Sequence, residues 1–306
     1  MKKNMIIGTR QSLLALWQSN YIADRLREKY PDCTVTLKKI VTKGDRILDV
    51  PLAKIGDKGL FTKELETALV EGEIDLAVHS LKDMPTKLPT GLILTAITER
   101  AKAGDAFVSN KYKRIEDLPK GAILGTSSLR RRAQILAARP DLEIVDLRGN
   151  VDTRLKKLDT GTMDAIILAA AGLERLGYND RIREIIPGEF CLPAVGQGAL
   201  AIETRRDNPE VRTMLNFLNH KDTKQATDAE RAFLGLLGGG CQVPIGVHAL
   251  IKNDEIEITA VIASLDGTTV LRDKIQGKAI NSIALGAELG EKMLANGGAK
   301  ILAEIL

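Results

Sequence analysis

The chain has 306 residues, 44% of them hydrophobic, which is enough for two or three domains with ordinary packed cores. Only 3% are aromatic and the formal net charge is a mild +4, which weighs against a surface that stacks nucleic-acid bases. No segment is long and apolar enough for a membrane span, and the N-terminal MKKNMIIGTR is too polar for a signal peptide. The three cysteines and three histidines lack the spacing of disulfide or metal motifs, so we expect a reduced, cytoplasmic protein without a metal.

The N-terminal part of the chain predicts strands and helices in alternation. Residues 5–8 and 35–41 predict strands, and residues 13–30 and 61–71 predict amphipathic helices. The first helix is expected to place these apolar residues on one side: Leu13, Leu16, Trp17, Ile22 and Leu26. Residues 42–59 have no clear period and several glycines and lysines, which is typical of a lid or binding loop.

The sequence EIDLAVHSLKDMPT at 73–86 predicts a short strand buried on both faces, followed at once by polar residues. Lys82 and Asp83 therefore come just after the carboxyl end of a strand, which is where open α/β sheets bind their ligands. The alternative is that Asp83 only satisfies backbone donors in the turn.

A similar pattern returns in the middle of the chain. ILGTSSLRRRAQILA at 123–137 matches IIGTRQSLLALWQSN at 6–20, and GTMDAIILAAAG at 161–172 matches GEIDLAVHSLKD at 72–83. This internal β-α-β-α-β repeat predicts an α/β fold with two similar parallel-sheet lobes, of the type II periplasmic-binding-protein kind, facing each other across a cleft. Residues 101–105 and 196–205 predict two crossings between the lobes, and 243–306 a third, small α+β domain.

Arginines cluster at the predicted turns of both lobes. Arg130, Arg131 and Arg132 occupy the first turn of a helix, where the helix dipole disfavours cations unless an anion completes the site. Arg148 and Arg154 flank a second turn, and Arg10 lies in the matching turn of the first lobe. Because arginine binds carboxylate or phosphate in a fork, the pattern favours a polyanionic ligand over a merely solvated basic face.

Five motifs in this order and at these separations resemble the porphobilinogen deaminases, also called hydroxymethylbilane synthases: HSLKDMPT, SSLRRR, LRGNVDTRL, GQGALAIE and GGGCQVPIG. The resemblance covers almost the whole chain, and it departs from many relatives at Ala101-Lys102-Ala103-Gly104, where Pro and Arg are common. It implies a transferase of heme and other tetrapyrrole biosynthesis that deaminates four porphobilinogen molecules and joins them head to tail into linear hydroxymethylbilane.

The resemblance also implies a dipyrromethane cofactor, which the enzyme assembles itself and holds through a thioether to Cys241. Without the resemblance, Cys241 could be a buried small hydrophobe, although three glycines before it suit a close backbone approach. Each pyrrole carries an acetate and a propionate, which would account for the arginines. Asp83, with Lys82, is the implied catalytic group, because a carboxylate near the pyrrole nitrogens stabilises the cationic azafulvene left by loss of ammonia and relays protons.

Further site residues follow from the same motifs. The implied cofactor contacts are Arg130, Arg131, Ser128, Lys82 and Asp83. The implied substrate contacts are Arg10, Ser12, Gln18, Lys54, Lys58, Phe61, Thr126, Ser127, Arg148, Arg154 and Arg175. Lobe 1 is expected at 1–99 plus 197–217, lobe 2 at 104–193, and the domain with the cofactor cysteine at 220–306.

Two other functions remain open from the sequence. A two-lobed protein of this kind can bind a small polyanionic ligand without catalysis, and the arginine clusters can bind nucleic acid. The lack of a signal peptide and the GGGC turn weigh against the first function, and the few aromatic residues weigh against the second. On the deaminase interpretation we expect a monomer that binds porphobilinogen and neither nucleic acid nor a membrane.

Overall fold

The computed structural model describes residues 2–46, 59–238 and 243–305, which divide into two compact units. The first unit contains the described parts of Met1–Asp49 and Asp57–Ala101 together with Ala199–Lys224. The second contains Lys102–Gly198 and the described part of Gln225–Leu306. None of the described helices is long and apolar enough to cross a membrane.

The described strands and helices alternate in the first two thirds of the chain. The strands are β1 Asn4–Thr9, β2 Thr34–Lys39, β3 Leu76–Ser80, β4 Leu92–Ile97, β5 Asp105–Val108, β6 Ile123–Gly125, β7 Glu143–Val145, β8 Ala165–Ala169, β9 Glu184–Ile185, β10 Leu200–Arg205, β11 Ile245–Lys252, β12 Glu255–Ala263 and β13 Val270–Lys278. The helices are α1 Leu13–Lys29, α2 Lys43–Arg46, α3 Lys63–Val70, α4 Leu129–Ala138, α5 Val151–Asp159, α6 Ala170–Arg175, α7 Pro209–Leu215, α8 Lys221–Leu236, α9 Ser282–Met293 and α10 Ala299–Ala303.

The first unit is built on a five-stranded sheet in the order β2-β1-β3-β10-β4. Strand β1 pairs in parallel with β2 and β3, whereas β10 runs antiparallel to both of its neighbours, β3 and β4. Helices α1 and α7 cover one face of the sheet, through side chains such as Ile22 and Val211, and α3 covers the other through Leu69. With both faces covered, the apolar stretch of β3 is buried, as its sequence predicts.

The second unit contains a sheet with the same plan, in the order β7-β6-β8-β5-β9. Strand β6 pairs in parallel with β7 and β8, and β5 runs antiparallel to β8 and β9. Helix α4 packs on one face through Ile135, and α5 and α6 pack on the other through Leu155 and Leu173. The equal strand order confirms the internal repeat and the fold class that the sequence predicts.

Each sheet differs from the expected all-parallel arrangement by one antiparallel strand. The chain leaves the first sheet after β4, whose carboxyl end lies at the same edge as that of β3, and enters the second sheet through β5 at the matching edge. It returns through β10 in the same way. A strand that enters a sheet from the carboxyl edge of its parallel strands must run against them, which explains both antiparallel strands.

The C-terminal part of the second unit is a three-stranded antiparallel sheet, β11-β12-β13. Helices α8 and α9 bury Phe233 and Leu289 against Val247 and Ile258 of this sheet. The predicted small α+β domain is therefore confirmed.

Helix α1 turns a different face inward from the predicted one. Leu13 and Trp17 are 55% and 37% exposed, whereas Ala15, Gln18 and Ser19 are buried together with Ile22 and Leu26. Small and polar side chains fit the close contact with the sheet, so the apolar residues alone did not identify the buried face. Most of the predicted lid at 42–59 lies outside the described residues; of it, Lys43–Arg46 forms one helical turn.

Candidate active site

The predicted site residues of the first unit follow the parallel strands β1 and β3 at one edge of their sheet. Arg10 and Ser12 come directly after β1, and Ser12 caps α1 by accepting a hydrogen bond from the Ala15 N–H at 3.3 Å. Lys82 and Asp83 come directly after β3, in the 3₁₀ turn Leu81–Asp83. The carboxyl ends of neighbouring parallel strands lie at the same edge, so this edge collects the polar side chains that the sequence singled out.

Asp83 is half-buried, and its carboxylate has no hydrogen-bond or ion-pair partner among the described residues. The turn that holds it is closed by backbone instead, with the Met84 N–H donating to the Leu81 carbonyl at 3.1 Å. The alternative role, in which Asp83 only satisfies the turn, is therefore not observed. Its neighbour His79 is buried and paired with Glu203 at 3.1 Å, so His79 is occupied within the sheet.

The buried side-chain amide of Gln18 bonds to Ser80, the residue just before this turn. Gln18 is 3% exposed, and its Nε2 donates to the Ser80 hydroxyl at 2.8 Å. Because Ser80 precedes the 3₁₀ turn, this bond ties α1 to the segment that carries Lys82 and Asp83. The predicted substrate contact Gln18 therefore holds the turn in place in this structure.

Arg10 is held by groups that the sequence analysis did not connect with it. Its Nη2 and Nε donate to the Asp45 carboxylate at 2.5 and 3.2 Å, and its guanidinium lies 4.3 Å from the centre of the Phe61 ring. Asp45 also accepts from the Thr42 hydroxyl at 2.8 Å. Burial alone would raise the pKa of Asp45, but the hydrogen bonds from Arg10 and Thr42 outweigh it and lower that pKa. Two predicted site residues, Arg10 and Phe61, thus meet each other.

In the second unit, three hydroxyl residues lie between β6 and α4. Ser128 caps α4 by accepting from the Arg131 N–H at 3.4 Å, and the buried Thr126 accepts from the Ser128 N–H at 3.3 Å. Ser127 donates its hydroxyl proton to the Leu147 carbonyl at 3.0 Å and accepts from the Leu147 N–H at 2.9 Å. In this structure the Ser127 hydroxyl therefore links two turns of the protein, and its contact with substrate stays a prediction.

Arg130 and Arg131 are both 5% exposed and share one buried carboxylate, that of Asp105. The Arg130 Nη1 and the Arg131 Nη2 each lie 2.7 Å from an Asp105 oxygen, one on each side. The sequence predicted an anion next to the arginines at this helix start, and the Asp105 carboxylate provides one such negative charge from the protein itself. Arg130 also donates to the Leu192 carbonyl at 2.6 Å, and Arg131 to the Ile167 carbonyl at 2.9 Å.

The charges of this cluster do not balance. Burial would raise the pKa of Asp105, but Arg130 and Arg131 outweigh it and hold that pKa well below its usual range. Cys191, whose Sγ lies 3.4 Å from Arg130 Nη1, stays a neutral thiol because burial raises its pKa to about 12. Two cations therefore face one anion, and the Arg131 Nε is buried without a hydrogen-bond partner among the described residues. The cluster therefore carries one net positive charge.

Three further arginines of the second unit are half-buried. Arg154 donates through Nε to the Gly149 carbonyl at 2.7 Å, and Arg175 through Nη2 to the Gly198 carbonyl at 2.6 Å. Arg148 has a buried Nη1 without a partner in the described part of the chain. Gly149 has a φ of +114°, and a Cβ there would lie 2.8 Å from Thr153, so the turn between Arg148 and Arg154 needs glycine.

Some predicted residues cannot be placed and some important ones were missed. Lys54, Lys58 and Cys241 lie outside the described residues. The sequence analysis overlooked Asp45 and Asp105 as partners of the predicted arginines. Asp105 is the first residue of an apolar strand, and Asp75 and Asp164 directly precede such strands, so its sequence context gave no sign that it binds arginine.

Comparison with known proteins places the chain clearly. Residues 5–213 match the family model described as "Porphobilinogen deaminase, dipyromethane cofactor binding domain", and residues 224–295 match its C-terminal domain. A porphobilinogen deaminase of Desulforamulus reducens is 53% identical over 305 residues, covering 100% of this chain and 99% of the relative. A porphobilinogen deaminase of Geobacter sp. (strain M21) is 54% identical over 303 residues, covering 99% of this chain and 95% of the relative.

Solved structures with a similar fold are more distant. The methionine-binding protein MetQ is 14% identical, with a TM-score of 0.44, covering 73% of this chain and 91% of that one. The alkanesulfonate-binding protein SsuA from Xanthomonas axonopodis pv. citri is 17% identical, with a TM-score of 0.40 and 77% of each chain covered. The full-length relatives decide between the enzyme and the binding protein that the sequence left open: the chain belongs to the porphobilinogen deaminase family.

Proposed function

We propose that the side chains at the carboxyl edges of the two five-stranded sheets perform the reaction of the family, with Asp83 as the catalytic carboxylate. That reaction deaminates four porphobilinogen molecules and joins them into linear hydroxymethylbilane. The observation that carries the assignment is the Asp83 carboxylate itself, which is half-buried at a strand end and has no partner among the described residues. A carboxylate left available in this way can interact with a ligand.

Dipyrromethane is the cofactor of this family, and the described residues fit its carboxylates. The Arg130–Arg131–Asp105 cluster carries one excess positive charge and an unpartnered Nε, which suits a carboxylate of an acetate or propionate. When bound, the cofactor supplies the pyrrole carbon from which the chain grows. Ser128, Lys82 and Asp83 are proposed as further contacts to it.

Asp83 would act on the pyrrole nitrogens of the substrate. Loss of ammonia from porphobilinogen leaves a cationic ring, and a fixed carboxylate beside the ring N–H stabilises that charge more than it stabilises the neutral substrate. The same oxygens can accept the proton that is later lost from the ring. Lys82, next to Asp83 on the same turn, is proposed to assist by binding a substrate carboxylate.

The remaining arginines are proposed to bind the carboxylates of the substrate and of the growing chain. Arg148 supports this role most directly, because its buried Nη1 has no partner among the described residues. The other proposed substrate contacts are Arg10, Ser12, Gln18, Lys54, Lys58, Phe61, Thr126, Ser127, Arg154 and Arg175. For Arg10, a substrate carboxylate would have to share or replace the Asp45 contact.

We also propose that Cys241, which falls within the C-terminal family match, carries the cofactor through a thioether. The proposed domains keep the predicted bounds: 1–99 plus 197–217, 104–193 and 220–306. We propose a monomer that binds neither nucleic acid nor a membrane. We also propose that it lies in the cytoplasm, since the two described cysteines, Cys33 and Cys191, are unpaired thiols that suit a reducing compartment.

Intact-protein mass tests the assignment directly. The purified wild type should carry an adduct the size of two pyrrole units, and Cys241→Ala should have the mass of the bare chain and no turnover of porphobilinogen. Cys33→Ala serves as the matched control: it removes a buried thiol that is not the proposed attachment site, so this variant should keep the adduct. Turnover by an unmodified Cys241→Ala protein would contradict the attachment site.

A further inference from the structure

Asp105 is a buried carboxylate of the second unit with several side-chain hydrogen bonds. It is fully buried at the first residue of β5 and receives hydrogen bonds from Arg130 and Arg131 at 2.7 Å and from the Gln197 Nε2 at 2.8 Å. The Cys191 Sγ lies 3.6 Å from it.

The position of Asp105 in the chain matters as much as its bonds. Residue 105 opens β5, the first strand after the chain enters the second unit, and Gln197 precedes β10, the strand by which the chain re-enters the first unit. Gln197 also donates to the Ala103 carbonyl at 2.6 Å. One carboxylate thus joins the arginine pair to two of the segments through which the chain passes between the units.

The charge count explains why a single carboxylate is needed. Two guanidinium groups buried side by side repel each other and lose their hydration, so neither could stay buried without an anion. Two carboxylates would neutralise the pair and leave nothing to attract a ligand. One carboxylate placed between the two arginines holds both in fixed positions and leaves one net positive charge, beside a buried Arg131 Nε that lacks a partner among the described residues.

We propose that Asp105 is a positioning residue for the cofactor: it fixes Arg130 and Arg131 so that the pair binds one carboxylate of dipyrromethane, and through Gln197 it links that contact to the segments joining the units. This inference rests on the proposed function of the arginine pair. Asp105 does not touch the cofactor itself; it sets the charge and the geometry that the cofactor meets.

Cofactor loading tests the proposal through the fraction of modified protein rather than through the release of hydroxymethylbilane. Apoprotein is incubated with porphobilinogen, and intact mass follows the fraction that carries two pyrrole units. Asp105→Asn should load roughly 10- to 100-fold more slowly than wild type, the usual effect of losing one charge-assisted contact. Asp105→Glu, which keeps the charge but displaces it, should load at an intermediate rate.

A second readout separates charge from mere stability. Asp105→Asn leaves two buried cations without a protein anion, so inorganic phosphate should raise the melting temperature of its apoprotein more than that of the wild type. The matched control is Asp164→Asn in the same unit, because Asp164 accepts a backbone bond from Ile123 at 2.9 Å and is outside the proposed site. It should load at the wild-type rate and show no added phosphate effect.

Each outcome decides something specific. Loading of Asp105→Asn at the wild-type rate, or equal slowing in Asp164→Asn, would overturn the positioning role. If Asp105→Asn fails to fold, Gln197→Met removes the link to Asp105 and leaves both ion pairs; it should load several-fold more slowly, and wild-type loading by it would overturn the proposed link. If the wild type itself gains no adduct, the proposed function has failed rather than this inference.

Discussion

Two aspartates of this protein do opposite things because their surroundings differ. Asp83 is half-buried and has no partner among the described residues, so its charge is available to a ligand. Asp105 is fully buried and bonded by two arginines and a glutamine, so its charge is used within the protein. Removing the charge should therefore affect mainly catalysis in the first case and mainly the arginine pair in the second.

Asp83→Asn should lose activity while keeping its fold. The change removes the charge that faces the developing cation, and a preorganised contact of this kind is worth about 3–4 kcal/mol, or a factor of about 10²–10³ in kcat. The melting temperature should stay within error of the wild type, because no described residue bonds to the carboxylate. Asp83→Glu, with the charge displaced by one methylene, should retain more activity than Asp83→Asn.

The measurement is turnover of porphobilinogen beside a thermal melt for each variant. A stable Asp83→Asn protein within a few-fold of the wild-type rate would remove Asp83 from the catalytic assignment.

At this scale the sequence suggested candidate site residues but not the groups that those residues contact. Asp83, Arg130 and Arg131 were found from their motifs and from their places after strands. Their partners were not, because Asp105 lies 25 and 26 residues before the two arginines and is brought to them only by the antiparallel entry of β5. The contact of Ser127 with Leu147 was missed for the same reason, since Leu147 follows a different strand.

At the scale of elements, the repeated aspartates Asp75 and Asp164 show why the two sheets share a sequence pattern. Each precedes the third strand of its repeat, and each accepts a hydrogen bond at 2.9 Å from a backbone N–H of the first strand, that of Ile6 or Ile123. Their own N–H groups donate to the carbonyls of the same two residues. Each aspartate thus adds a side-chain hydrogen bond at the start of the pairing between the first and third strands. This shared structural role explains why the aspartate occurs in both repeats.

Replacing these aspartates should lower stability and leave activity per folded molecule unchanged. Asp75→Ala leaves the Ile6 N–H without its acceptor, which costs about 1–3 kcal/mol for a buried donor. Asp164→Ala should cost less, because the Asp164 side chain is 27% exposed, against 8% for Asp75, and water can replace it. Asp75→Asn, which keeps an oxygen acceptor, is the matched control. Urea unfolding measures the free energy of unfolding of each variant. A larger loss of this free energy for Asp164→Ala than for Asp75→Ala would contradict the prediction.

Helix α1 shows where prediction of elements fails. Its bounds at Leu13–Lys29 agree with the predicted 13–30, because Ser12 caps the start and Pro31 follows the end. Its buried face was predicted wrongly from Leu13 and Trp17, since the helix meets the sheet through smaller side chains such as Ala15 and Ser19. The apolar periodicity therefore located the helix, but it did not identify the small side chains through which the helix contacts the sheet.

At the scale of the whole molecule, positive charge is divided between a buried pair and half-exposed arginines. Arg130 and Arg131 are buried and should be screened little by salt, whereas Arg148, Arg154 and Arg175 are only half-buried. Each porphobilinogen added to the chain brings two more carboxylates. If the arginines have the roles proposed for them, the later additions should depend more on the half-exposed arginines than cofactor binding does.

Salt should consequently shorten the enzyme-bound chains. Raising the ionic strength from about 0.1 M to about 1 M reduces the Debye length from about 10 Å to about 3 Å and weakens the half-exposed contacts most. With limiting porphobilinogen, intact mass should show the bound intermediates shifting toward fewer added units at high salt, while the two-pyrrole adduct stays complete. Arg148→Leu provides the control: it should show the shorter distribution already at low salt and change less when salt is added. An unchanged distribution in the wild type, or an equal salt response in Arg148→Leu, would show that the half-exposed arginines do not hold the growing chain.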